Sequence, residues 1–243
     1  MLKQFKKAFV QKGYFVIKNI FSENFIDSLL LEINTIKNAN YYYDNEKKLR
    51  RIEKLYDKGE NLKKLNNLIL NKLCDVFDED FFIFKDKFNA KPPGGNGFFP
   101  HFDGIFEFKD DKDIVKKGWY EYGDFFVNAL IALDDCTKEN GTIEIANRYD
   151  KNNFEYLINF TKKNGTPELN SSSAKKATFE KIVLNKGDMV FFSNICPHKS
   201  EKNNSRFHRR TLYYTYLSKK FGHQYDNYFK DKDGSKNKTS KSL

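Results

Sequence analysis

The chain has 243 residues, 39% of them hydrophobic, with 25 Phe and 14 Tyr, which is core material for one large domain and excludes wholesale disorder. A formal net charge of +10 admits nucleic acid or an anionic surface as partner, but Lys and Asn are abundant along the whole chain, so the excess reads first as solvated faces. Three scattered cysteines (Cys74, Cys136, Cys196), no run of transmembrane length and no apolar N-terminal core predict a soluble, cytoplasmic protein without a disulfide framework.

Residues 2–12 predict a short basic helix, stopped by Gly13 before the β-rich run Tyr14-Phe15-Val16-Ile17. Ser22 is a good N-cap for a helix whose apolar face is Phe25, Ile26, Leu29, Leu30 and Ile33. Residues 41–60 are polar and charged, and predict a loop. Leu62, Leu65, Leu68, Ile69 and Leu73 mark a second amphipathic helix.

From Phe81 the texture becomes strands. Residues 84–91 alternate, with Lys85, Lys87, Asn89 and Lys91 on one face, which is solvated unless it lines a cavity. Pro92-Pro93-Gly94-Gly95-Asn96-Gly97 is a turn, followed by His101-Phe102-Asp103. Residues 107–124 form a charged insertion carrying Trp119, Tyr120 and Tyr122. Residues 125–133 form the most strand-like run, and 143–145 another. Residues 148–180 are polar and weakly periodic, as an insertion or lid would be. Residues 182–184, 189–192 and 211–216 complete the strands, and 218–243 predict a polar basic tail, disordered from about residue 230. Two early helices and then strands with turn signals predict a mainly β fold with flanking helices, a sandwich or barrel in a single domain over 1–217.

His101 and Asp103 are two apart, so a strand presents both on one face, and His198 follows the later strand. Two histidines and a carboxylate leave open positions on a metal, the donor set of non-haem iron oxygenases. A lone His-x-Asp is weak by itself. Arg209, eleven residues after His198, would suit a carboxylate, because its planar fork donates two hydrogen bonds at once.

His101-Phe102-Asp103, Gly187-Asp188, His198-Lys199-Ser200, Asn203, Ser205 and Arg209 together resemble the pattern of the Fe(II)/2-oxoglutarate dioxygenases of the phytanoyl-CoA dioxygenase superfamily. Gly13-Tyr14-Phe15-Val16-Ile17 and Glu139-Asn140-Gly141 add to the likeness, which covers most of residues 5–217. The resemblance implies a double-stranded β-helix (jelly-roll, cupin-like) core with the N-terminal helices outside. It implies Fe(II) on His101, Asp103 and His198, with 2-oxoglutarate and dioxygen as co-substrates. It also implies that Arg209 and Ser200 bind the distal carboxylate of 2-oxoglutarate. Residues 87–91 are similar to the strand of ectoine hydroxylases whose asparagine touches the co-substrate, which points to Asn89. Arg51 lies where members carry a basic residue near the site. Halogenases of this type lack the carboxylate ligand, so Asp103 implies hydroxylation or oxidative cleavage, with 2-oxoglutarate decarboxylated to succinate.

Phe102 stands where many members have Gln, Ala146-Asn147-Arg148-Tyr149 replaces their Pro-Gly-Ser-His, and 107–124 has no counterpart, all in positions that read the substrate. Residues 84–95 and 225–232 resemble the branch acting on small phosphonates. On that likeness Lys85 and Lys87 would pair an anionic or zwitterionic substrate, while Trp119 or Tyr122 would face an ammonium or serve only as core. The other readings are an amino acid-like or acyl substrate, a non-catalytic metal-binding sandwich, and a basic nucleic-acid-associated protein. A monomer or homodimer with no membrane partner is expected.

Overall fold

In the computed structural model the described residues are 2–104, 108–109, 112–147, 160–163, 166–169 and 171–236. The N-terminal third is α1 (Leu2–Lys12), β1 (Tyr14–Ile17), α2 (Glu23–Thr35), β2 (Asn40–Tyr43), β3 (Leu49–Glu53) and α3 (Glu60–Phe77). Then come β4 (Phe81–Lys91), β5 (Phe98–His101), β6 (Phe108–Lys109), β7 (Val115–Lys116), a 3-10 turn (Gly118–Glu121), β8 (Phe126–Ala132) and β9 (Ile143–Ala146). The remainder is β10 (Phe160–Lys163), β11 (Thr166–Leu169), α4 (Ser171–Lys176), β12 (Phe179–Lys181), β13 (Met189–Ser193), β14 (His198–Ser200), β15 (Arg209–Ser218), a 3-10 turn (Lys219–Phe221) and α5 (Tyr225–Lys236).

Local chemistry accounts for the helix ends. Gly13 turns the chain out of α1 at φ 87°, where a side chain would be strained. The Ser22 hydroxyl accepts a 3.3 Å hydrogen bond from the Phe25 N–H and so caps α2.

A seven-stranded sheet has the order β1-β13-β8-β15-β4-β3-β2, and a six-stranded sheet the order β10-β11-β5-β14-β9-β12. Their pairings are antiparallel, and the two sheets form a double-stranded β-helix with helices outside, as expected. Alternation in the central strands builds two apolar layers. One contains Leu29, Leu65, Ile69, Phe84, Phe88 and Tyr214, and joins the helices to the outer face of the large sheet. The other contains Leu130, Ile145, Val190, Phe192 and Tyr213, and lies between the sheets.

Two expectations are corrected here. The loop predicted over 41–60 holds the hairpin β2–β3, with Tyr42 opposite Arg51. Its charged residues hid the period of two. The polar tail predicted from 218 contains α5, whose Tyr225, Tyr228 and Phe229 are buried in the outer apolar layer. These three lie on one face at i, i+3 and i+4, a stripe too narrow to stand out among lysines and aspartates. The disorder expected from residue 230 therefore does not begin there; residues 237–243 lie outside the described residues, as do 148–159 of the predicted lid. Phe229 is 1% exposed, so Phe229→Ala should lower the unfolding free energy by about 3–5 kcal/mol in a denaturant titration. A change under about 1 kcal/mol would mean that α5 does not dock.

Candidate metal and anion site

The small sheet brings the predicted metal ligands together. His101 ends β5, His198 opens β14, and the two are paired in register with ring centroids 4.2 Å apart. Asp103 follows just beyond β5, and one ligand atom from each of the three lies within 4.8 Å of the others. Asp103 Oδ2 is 3.6 Å from His198 Nε2 and accepts a 3.0 Å hydrogen bond from Asn128 Nδ2. Each imidazole is oriented by its own backbone. His101 Nδ1 is 2.7 Å from the Phe99 carbonyl and His198 Nδ1 is 3.1 Å from that of Cys196. A carbonyl can only accept, so Nδ1 carries the proton and Nε2 keeps its lone pair for a metal.

Electrostatics prepares the same donors. Burial pushes His101 down to about 3, helped by His198, and burial likewise lowers His198. Burial opposes ionisation of Asp103, but His198 and Lys87 outweigh it and hold the carboxyl down at about 2. Two neutral imidazoles and one carboxylate are therefore in metal-binding form at neutral pH, and they fit a divalent ion with open positions.

The anion half is built at the neighbouring end of the large sheet. Arg209 opens β15 opposite Lys91 of β4, and both are buried. Arg209 Nε has no hydrogen-bond partner among the described residues, and burial lowers the pKa of its guanidinium. A buried donor without an acceptor is costly, and a ligand carboxylate would relieve it. Ser200 Oγ accepts from Lys91 Nζ at 2.9 Å and from the Phe98 N–H at 3.3 Å. Both lone pairs are then used, leaving its own O–H to donate. Asn89 Oδ1 and Thr211 Oγ1, opposite each other on β4 and β15, are also buried without partners, and Arg51 lies across from Asn89 on β3.

Lys91 went unsingled in the sequence, although the alternation that marked Lys85 and Lys87 includes it. Its Nζ donates to the carbonyls of Gly141 (3.0 Å) and Glu201 (2.5 Å) as well as to Ser200. Burial beside Arg209 pushes its ammonium down to about 6. Gly141, at φ +70°, makes this approach possible, because a Cβ there would sit 2.1 Å from the Glu201 carbonyl oxygen.

The polar face of β4 points inward. Glu53, Lys87 and Tyr213 form one row across β3, β4 and β15, and Lys85, Thr215 and Asn128 the next. Lys87 Nζ sits 4.1 Å over the Tyr213 ring, whose hydroxyl is 3.3 Å from His198 Nε2. Burial pushes Lys87 down to about 7, partly offset by Asp103. Lys85 Nζ lies 5.6 Å over Trp119 and over Tyr228. Trp119 and Tyr122 are embedded in the outer apolar layer, and the Tyr122 hydroxyl donates to Asp231 of α5 at 2.6 Å.

The phytanoyl-CoA dioxygenase (PhyH) family model matches residues 9–211. The chain belongs to this family. It is similar to the methylphosphonate hydroxylase of Gimesia maris, 30% identical over 157 residues, which are 65% of this chain and 53% of that protein. It is also similar to the 2-aminoethylphosphonate dioxygenase of an uncultured bacterium, HF130_AEPn_1, at 27% over 190 residues, 77% of this chain and 66% of that protein. The chain thus spans between half and two thirds of the length of these curated relatives. The fold matches the epimerase SnoN of nogalamycin biosynthesis, in a complex with Fe3+, alpha ketoglutarate and nogalamycin RO, with a TM-score of 0.67, 13% identity and coverage of 89% of this chain and 83% of that one. It matches the apoform of EctD from S. alaskensis with a TM-score of 0.65, 16% identity and coverage of 88% and 75%. The fold brings His101, Asp103 and His198 together, with Ser200 on the same strand as His198 and Arg209 opposite Lys91, the partner of Ser200. No helix among the described residues is long and apolar enough to cross a membrane.

Proposed function

We propose that this protein is an Fe(II)- and 2-oxoglutarate-dependent oxygenase that hydroxylates a small phosphonate. The observation that carries the reading is the buried Arg209 guanidinium, its Nε unpartnered, beside the free Ser200 hydroxyl proton and next to the His101, Asp103 and His198 cluster. His101, Asp103 and His198 would hold the iron, which when bound supplies the redox chemistry coupling decarboxylation of 2-oxoglutarate to hydroxylation of a substrate C–H bond.

The chain's own contribution is placement. Arg209 forks onto the distal carboxylate of 2-oxoglutarate, and Ser200 donates to the same group. Lys91 fixes Ser200, and a carboxylate bound there would favour its charged form, while Asn89, Thr211 and Arg51 complete that wall. Lys85 and Lys87 face the substrate from the inner side of β4, where an anion stabilises their buried charge. Trp119 and Tyr122 support that wall from behind. The apolar layer around Leu130, Ile145 and Phe192 keeps water from the reacting carbon.

The test is aerobic turnover with Fe(II), 2-oxoglutarate and, in turn, phosphonates, amino acids and acyl thioesters. Succinate should form in step with loss of a phosphonate. Coupling only to an amino acid or acyl thioester would move the substrate assignment and keep the reaction. No succinate above background with any candidate would make the protein a non-catalytic metal-binding sandwich.

A further inference from the structure

Glu53 is a carboxylate with 0% exposure in the middle of the inner wall, and sequence patterning did not mark it. Lys232 of α5 is ion-paired to its Oε2, the Tyr42 hydroxyl donates to the same oxygen at 3.1 Å, and Arg51 Nη1 lies 3.5 Å from Oε1. Burial works against its ionisation, yet Lys232, Lys85 and Arg51 hold it far below the usual carboxylate range. Two resident cations, Lys232 and Arg51, are therefore ion-paired to this one anion and Lys85 acts on it through its field; Oε1 makes no hydrogen bond among the described residues and has Arg51 Nη1 at 3.5 Å.

The aromatic rings that border the wall carry resident cations in the same way. Lys85 lies over Trp119 and Tyr228, and Lys87 over Tyr213. The remaining wall carboxylate, Asp103, is committed to the metal cluster and to Asn128. Arg51, Lys85, Lys87 and Lys232 thus outnumber Glu53 and Asp103 in a buried space, and although burial lowers the three lysines, an incoming anion would hold them protonated. An incoming ammonium meets like charge at each of these places, where low dielectric magnifies the repulsion. An incoming dianion meets the opposite.

On the reading that this is a phosphonate hydroxylase, we propose that the inner wall selects doubly charged phosphonates with no amino group, and that Glu53 serves to hold Lys232, Arg51 and Lys85 rather than to receive a substrate ammonium. Glu53 is thereby a positioning residue, and Lys85 the cation that turns away zwitterions. The ammonium recognition expected of Trp119 is performed by the protein's own lysine.

The experiment uses isosteres. n-Propylphosphonate and 2-aminoethylphosphonate differ by a methyl group against an ammonium, and methylphosphonate is the short control. Binding of each is titrated calorimetrically, without oxygen, to the full chain loaded with Fe(II) and 2-oxoglutarate. Coupled succinate formation is measured in parallel. Propylphosphonate should bind at least tenfold more tightly than its amino isostere, and Lys85→Met should narrow that ratio by improving the amino compound. Equal or tighter binding of 2-aminoethylphosphonate by the wild type, with coupled succinate, overturns this inference and leaves the phosphonate reading standing. Binding by none of the three, with no succinate, overturns both. A ratio that Lys85→Met leaves unchanged removes Lys85 from the selection.

Discussion

Arg209→Met is expected to abolish the thermal stabilisation that 2-oxoglutarate confers on the metal-loaded protein, while the unliganded variant should melt no lower than the wild type. The two halves of this result have one cause. Arg209 is buried with its Nε unpartnered, so the empty protein carries the penalty of an unsatisfied cation and loses little when the cation is removed. The ligand, in contrast, loses a charge-assisted fork worth about 2–5 kcal/mol, a weakening of roughly thirty-fold or more. Melting curves with a redox-inert divalent metal, with and without 2-oxoglutarate, read both halves. Arg209→Lys should recover only part of the shift, because an ammonium keeps the charge but not the planar geometry. A variant that still responds to 2-oxoglutarate like the wild type would remove Arg209 from the co-substrate site.

Asp103→Asn gives the second large effect, loss of bound iron together with turnover. The substitution keeps an oxygen that can accept from Asn128 Nδ2, now 3.0 Å away, so the Asn128–Thr215 hydrogen bonds behind the site persist and the protein folds. It removes the anion of the cluster, the one member held ionised down to about 2. Metal affinity should fall by more than about 100-fold, the upper range seen when merely a supporting partner of a ligand is lost. Metal content after dialysis, measured beside the unfolding curve, separates ligand loss from misfolding. Retained stoichiometric iron in a folded variant would mean that Asp103 is not a ligand.

Much of the site is visible in the sequence because strands report side-chain direction with a period of two. His101 and Asp103 had to share a face, and the spacing from His198 to Ser200 and Arg209 carried the family pattern across two strands and a turn. The helices α2 and α3 were legible for a similar reason, since their apolar stripes are wide and Ser22 is in place to cap the first. Charged elements hid better. The β2–β3 hairpin and α5 carry Arg51, Glu53 and Lys232, and each reads as solvated when taken alone.

The sequence by itself determined the family, the double-stranded β-helix core and which residues could hold a metal and a carboxylate. The family and its core come from the resemblance that the motif residues carry, and the spacing of those residues is local and survives without the rest of the chain. Only the tertiary structure decided which face of β4 is interior. Alternation separates Lys85, Lys87, Asn89 and Lys91 from Phe84, Asp86, Phe88 and Ala90, but it cannot say which set meets solvent, and lysines are normally on the wet side. In the fold β4 lies between β3 and β15, its Phe88 face packs on the helices, and its lysine face turns toward the metal cluster. That choice also made Lys91 a partner of Ser200 and Glu53 an anchor for three cations. The physical reason is that a buried charge is defined by its partners, and here those partners come from strands and a helix far apart in the chain.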